Sequence, residues 1–189
     1  MCGIVGLFIK NPAMEKELGE HLSNMLIEMT ERGPDSAGIA MYDGGATDGT
    51  VRITVLSTDP DYSWEQFKKE VRAVFGESSK IEMNSNHAVL ILQAEARTVQ
   101  GWLHQNHPEL YMTSSGTNIT IFKEVGLPVD VISRFGIRGM SGSHALGHTR
   151  MATESAVTTS GSHPFSTGAD LCLVHNLSVI HISEPTRLR

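Results

Sequence analysis

The sequence predicts an α+β fold, and three features of its patterning carry that expectation. The chain opens on an apolar, partly β-branched run, Ile4-Val5-Gly6-Leu7-Phe8-Ile9, which reads as a buried strand. A stripe of apolar residues at helical spacing follows it. Strand-type and helix-type patterns then succeed one another from 51 to 123 in the order β-α-β-β-α-β-β.

The elements follow in order. Asn11-Pro12 makes a turn, and Leu18, Leu22, Met25, Leu26 and Met29 place an amphipathic helix over 14–31. Gly33-Pro34 ends it, and 38–42 reads as a second strand. The polar run 43–50 is a flexible loop and a candidate boundary. Beyond it Val51, Ile53 and Val55 alternate as a strand. Residues 64–75 form a helix with Phe67, Val71 and Val74 on one face. Strands are expected at 80–83 and 87–93, a helix at 94–105, and two strands between Tyr111 and Lys123 around Ser115-Gly116. Residues 125–142 return as a short helix and loop. Ala145–Arg150 and Asp170–Val174 are further strands, with Cys172 as inert core. This organisation assigns 2–47 and 140–176 to one domain, 48–139 to a small α+β insert, and 177–189 to a tail. The insert carries no visible chemistry, and its histidines His87, His104 and His107 lie too far apart to form a ligand pattern.

Bulk properties exclude several classes. A chain of 189 residues suits one domain, or one with a large insertion. The formal net charge of −6 argues against a nucleic-acid footprint. The two cysteines, Cys2 and Cys172, make neither a disulfide framework nor a zinc motif. The apolar start is too short, and lacks the basic region, of a signal peptide. No run approaches the ~18 apolar residues of a membrane span. A cytoplasmic, reducing setting is expected, which suits a working thiolate.

The residues that carry chemistry stand at strand ends. Removal of Met1 leaves Cys2 with a free α-amine beside its thiol. That amine titrates near pH ~8, so it can take the thiol proton: a nucleophile with a built-in base. The other possibility is a small hydrophobic cysteine at the tip of an ordinary strand. Arg32, Asp35 and Ser36 bunch in the loop before the second strand. They form a capping turn there, or face the Cys2 tip with Arg32 orienting groups around it. Arg150 ends an apolar strand, and its fork matches a carboxylate, of a substrate or of a structural salt bridge. Asn176 ends another strand and offers an amide N–H to a developing oxyanion.

Four segments now stand in sequence: Cys-Gly-Ile-Val-Gly at 2–6, Arg-Gly-Pro-Asp-Ser-Ala-Gly at 32–38, Gly-His-Thr-Arg-Met-Ala-Thr at 147–153 and Leu-Val-His-Asn at 173–176. Together they resemble the class II glutamine amidotransferases, which are N-terminal-nucleophile hydrolases. The resemblance covers roughly 2–42 and 140–176. The insert and motif wording look closest to the stand-alone amidotransferase subunit of glutamate-synthase-like and N-methylglutamate-synthase-like enzymes. It implies a four-layer αββα sandwich, incomplete in this chain. It further implies that Cys2 attacks the side-chain amide of L-glutamine, giving a thioester that water hydrolyses to glutamate. Asn176 would match the oxyanion donor, Arg150 the holder of the α-carboxylate, and Arg32 the arginine beside the nucleophile. Thr153 and His163 fall on motif positions near the substrate. The ammonia would pass to a partner synthase subunit of the flavin or iron–sulfur type. No cofactor or metal is then expected in this chain.

The chain departs from that family in two places. Leu177 stands where the family has a glycine whose N–H completes the oxyanion hole. Residues 177–189 resemble the translation of a sequencing-library adapter more than any amidotransferase continuation. They are expected to be non-native, and the fragment to be inactive or poorly soluble because one sheet lacks its partners. Two other functions remain open on sequence grounds: a non-catalytic regulatory or binding subunit on the same fold, and an N-terminal-nucleophile hydrolase that cleaves a different amide.

Overall fold

The computed structural model describes residues 2–44, 49–152 and 156–176. It confirms the α+β class. The apolar opening forms β1 (Gly3–Phe8), and β2 is Ser36–Tyr42. The helix between them, α1 (Leu18–Glu28), is shorter than the 14–31 span that the apolar spacing predicts. Pro12 starts a separate 3-10 turn over Pro12–Glu17, and a second one runs over Thr30–Arg32. The Thr30 hydroxyl donates to the Ile27 carbonyl at 2.6 Å and so competes with the helical ladder where α1 ends.

The middle of the chain supplies β3 (Val51–Leu56), α2 (Trp64–Phe75), β4 (Lys80–Asn84), β5 (His87–Leu92), α3 (Ala96–Asn106), β6 (Tyr111–Gly116) and β7 (Ile119–Val125). Then come α4 (Pro128–Phe135), β8 (His144–Arg150), β9 (Phe165–Gly168) and β10 (Leu171–Leu173). One sheet has the order β1-β8-β2-β7, a second β4-β5-β3-β6, and β9 and β10 form a hairpin. The ladders in all three are antiparallel.

Each of the two larger sheets has its own main core, and Val89 of β5 reaches into the first. Val5, Ile39 and Met41 of the first pack with Leu18, Leu22 and Leu26 of α1 and with Val131, Ile132 and Phe135 of α4. The second is built on Ile53, Val55, Phe67, Val71, Leu90 and Val99. Patterning alone puts 48–139 in one insert, but the ladders divide that stretch. The second sheet ends at Gly116, and β7 pairs with β2 from Ser36↔Val125 to Tyr42↔Ile119. The strands β2, β3 and β7 are buried almost throughout, so none has a solvent face that would betray which sheet it joins. With β8 and β7 flanking it on either side, β2 is an interior strand, and its first residue lies at the end of the sheet where the sequence motifs meet.

Candidate active site

Cys2 stands one residue before β1, whose first rung pairs Gly3 with Thr149. Arg150 follows Thr149 and pairs with Ser36 at the start of β2. Cys2 and Arg150 therefore sit at the same end of the sheet on neighbouring strands. Two glycines permit this. A Cβ on Gly3 would lie 2.6 Å from Thr149 Oγ1, and one on Gly33 would lie 2.4 Å from the Thr149 carbonyl carbon. Thr149 is thus pressed from both sides by glycine backbone, and its hydroxyl donates to the Met29 carbonyl at 3.1 Å.

Asn176 comes back to Cys2 from the far end of the chain. The Cys2 backbone nitrogen donates to Asn176 Oδ1 at 3.1 Å, and Asn176 Nδ2 donates to the Cys2 carbonyl at 3.0 Å. Arg32 Nε donates to that same carbonyl at 3.4 Å, which places the arginine beside Cys2. The Cys2 thiol faces the Met151 carbonyl at 3.9 Å. Asp35 takes a different position from the capping turn that its local sequence allows. Its Oδ2 accepts from Ala152 N at 2.7 Å and its own N–H donates to the Arg150 carbonyl at 3.0 Å. It clamps the chain on either side of Met151, the residue facing the thiol.

Arg150 Nη1 donates to the Gly161 carbonyl at 3.1 Å, which ties the guanidinium to the turn before β9. That turn is held from β7. Lys123, only 4% exposed, donates through Nζ to the carbonyls of Ser162 at 2.8 Å, Ser160 at 3.0 Å and Pro164 at 3.5 Å. Burial pulls the lysine down to about 8, which leaves it charged at neutral pH. Patterning does not single out Lys123. The available signal is a pair of charges, Lys123-Glu124, directly after the apolar-rich run Ile119-Thr120-Ile121-Phe122 of one strand.

His163 is 7% exposed and packs between His148 and His175, with ring centroids 4.3 and 4.4 Å away. Burial, with the neighbouring positive charges adding to it, pushes His163 down to about 3 and His148 to about 4, so both are neutral at pH 7. His148 Nε2 lies 3.0 Å from the His175 carbonyl, a geometry that requires the Nε2–H tautomer. The three rings do not converge on a point: among the described residues no group of three or more His, Cys, Asp or Glu is placed to hold a metal ion. Of the residues singled out in the sequence, Cys2, Arg32 and Asn176 are joined by hydrogen bonds. Arg150 lies at the same sheet end, and His163 is in the adjoining buried cluster. Thr153 and residues 177–189 lie outside the described residues.

The site centres on a cysteine at position 2 whose main-chain nitrogen and carbonyl are held by one carboxamide. No protein-family model matches the chain. Over nearly its whole length it is similar to glutamine amidotransferase-like proteins. It is 50% identical over 180 residues to the glutamine amidotransferase-like protein GlxB of Rhizobium meliloti (strain 1021), an alignment covering 95% of this chain and 59% of that one. It is 28% identical over 202 residues to a protein of Methanothermobacter thermautotrophicus named "Putative glutamine amidotransferase", covering 98% of this chain and 65% of the relative. A shorter stretch of 64 residues, a third of the chain, is 36% identical to part of the glutamine–fructose-6-phosphate aminotransferase (isomerizing) of Streptococcus pyogenes serotype M6. The chain spans only 59% and 65% of the lengths of these first two relatives. Among the described residues no helix is long and apolar enough to cross a membrane.

Proposed function

We propose that this chain is the glutamine-hydrolysing part of a class II glutamine amidotransferase, with Cys2 as its N-terminal nucleophile. The observation that carries the reading is the reciprocal pairing of Asn176 with the Cys2 main chain. That pairing suits a reaction dependent on the Cys2 amine, because it holds the Cys2 nitrogen and carbonyl at the sheet end beside Arg32. The similarity to glutamine amidotransferase-like proteins supports glutamine as the substrate.

In this reading Met1 is removed and the Cys2 amine takes the thiol proton. Sulfur attacks the side-chain amide carbon of glutamine, and the carbonyl oxygen becomes an oxyanion. The carboxamide nitrogen of Asn176 carries two hydrogens. One is donated to the Cys2 carbonyl, and the other is the donor assigned to the oxyanion. The protonated amine returns its proton to the leaving nitrogen, the C–N bond breaks, and ammonia leaves a thioester. Water, giving its proton to the same amine, hydrolyses that thioester to glutamate and restores the thiol. Arg150 holds the α-carboxylate by a fork that a lysine cannot imitate. Thr153 and His163 complete the substrate surroundings. The ammonia passes to a partner synthase subunit, and any flavin or iron–sulfur group belongs to that partner.

The test is turnover in the intact protein with its synthase partner present. Glutamate and ammonia should appear in equal amounts, and Cys2→Ala should abolish both. Glutamine left unconsumed by a chain whose Met1 is removed would overturn the assignment and favour a non-catalytic binding subunit.

A further inference from the structure

We propose that Lys123 is a positioning residue for Arg150: it holds the turn at 158–164 whose Gly161 carbonyl anchors the guanidinium, and so sets the affinity for a substrate carboxylate. The proposal rests on the role given to Arg150 above.

An ammonium has three N–H donors, and burying it is costly unless all are satisfied. Lys123 meets that demand with three carbonyls of one turn, those of Ser160, Ser162 and Pro164. Phe165 closes the cage, its ring centroid 4.5 Å from Nζ. Three carbonyls from alternate residues point at one atom only if the backbone curls around it, so the charge dictates the path of the turn. Gly38, opposite Lys123 in the β2–β7 ladder, makes the room. A Cβ there would lie 2.2 Å from the His163 carbonyl oxygen and 2.7 Å from Lys123 Cβ.

The same turn is braced internally and by the next residue of β7. Ser162 Oγ donates to the Thr158 carbonyl at 2.9 Å, and Gly161 N donates to Thr158 Oγ1 at 3.1 Å. The Thr159 hydroxyl donates to Glu124, which Arg134 also engages at 3.0 Å. Gly161 is then fixed where its carbonyl accepts from Arg150 Nη1 at 3.1 Å. A Cβ on Gly161 would approach that nitrogen to 3.4 Å, so the guanidinium lies directly against the turn. Lys123 makes no contact with the Cys2–Asn176 pair in this arrangement; its effect on the reaction runs through Arg150.

Lys123→Met keeps the length of the side chain and deletes the three donors. In the intact protein it should raise the KM for glutamine about tenfold and change kcat by no more than about twofold, the split expected when only substrate binding is lost. Lys123→Gln, which keeps one donating end, should fall between. In an Arg150→Lys background Lys123→Met should add little, because the two changes remove one interaction. Two readouts need no turnover. Amide hydrogen exchange across 158–164 should quicken about tenfold in Lys123→Met while β1 and β8 keep their protection. Modification of Arg150 by phenylglyoxal, read by peptide mass, should quicken with it. Exchange and Arg150 reactivity that stay as in the parent would overturn the proposal. So would a fall in kcat at constant KM, or full additivity with Arg150→Lys. If the parent protein does not hydrolyse glutamine, the function fails while the exchange and modification experiments still decide the tether; should Lys123→Met not fold, Lys123→Gln carries all of these measurements.

Discussion

The Cys2 main chain is held at both of its polar atoms by a single side chain, and this has consequences that a mere contact would not have. Asn176 uses Oδ1 toward the Cys2 nitrogen and Nδ2 toward its carbonyl, while Arg32 shares that carbonyl. Asn176→Asp keeps the acceptor and loses the donor, so it should retain Cys2 in place but lower kcat by about 10²–10³, as the loss of one oxyanion donor does. Asn176→Ala loses both groups and should lower kcat at least as far. Arg32→Met should have a milder effect, because its bond to the carbonyl is longer at 3.4 Å. Steady-state kinetics on the purified variants, with the Met1-less fraction measured by intact mass, checks all three. At this scale much of the site is legible in sequence. Cys2 stands where an apolar run begins and Arg150 and Asn176 where such runs stop, and strand termini are where a rigid scaffold presents polar groups. Asp35 is less legible, because its partners, Arg150 and Ala152, lie more than a hundred positions away.

The strand ends that build the site come together because glycine lets them. Gly33 meets the Thr149 backbone so closely that any side chain must move β8 or the Thr30–Arg32 turn. Gly33→Ala should therefore destabilise the protein by about 2 kcal/mol, in the range of overpacked cores. It should also lower activity, since Arg150 and Arg32 flank the displaced contact; thermal unfolding and kinetics on one preparation test both effects. Element positions follow from patterning where one face is apolar and the other polar: α2 runs over Trp64–Phe75 as its spacing predicts. Patterning fails at β7. A strand buried on both sides could join either sheet, and only the register with β2 decides. The long helix expected over 14–31 fails for a different reason. Apolar spacing continues through Met29, but Pro12–Glu17 winds as a 3-10 turn at one end and the Thr30 hydroxyl takes the Ile27 carbonyl at the other. Lys123 is missed because a charge within a strand ordinarily marks a solvated face. Here three turn carbonyls from beyond β8 replace the water.

The whole molecule buries imidazoles that stay neutral, and this gives its stability a direction in pH. His87, His148 and His163 are held down to about 3, 4 and 3, principally by burial. An unfolded chain binds protons at these histidines below about 6.5, while the folded one does not until the depressed values are reached. Their contribution is therefore complete above pH 6.5 and is lost as pH falls from there toward 3–4. Thermal unfolding should show a midpoint that drops steadily as pH falls below 6.5. His87 is wedged edge-on against Phe122 and Phe135 and plays no part in the proposed chemistry, so His87→Leu should flatten that slope without altering kinetics at pH 7.

The proposed chemistry depends on one covalent claim, that Cys2 ends the mature chain and is the residue glutamine meets. Intact-mass and peptide mass spectrometry after exposure of the intact protein to a glutamine-analogue electrophile reads it directly. We predict loss of Met1, a single adduct on Cys2, and protection by added glutamine. An adduct on Cys172, or equal labelling of Cys2 in chains that keep Met1, would contradict it.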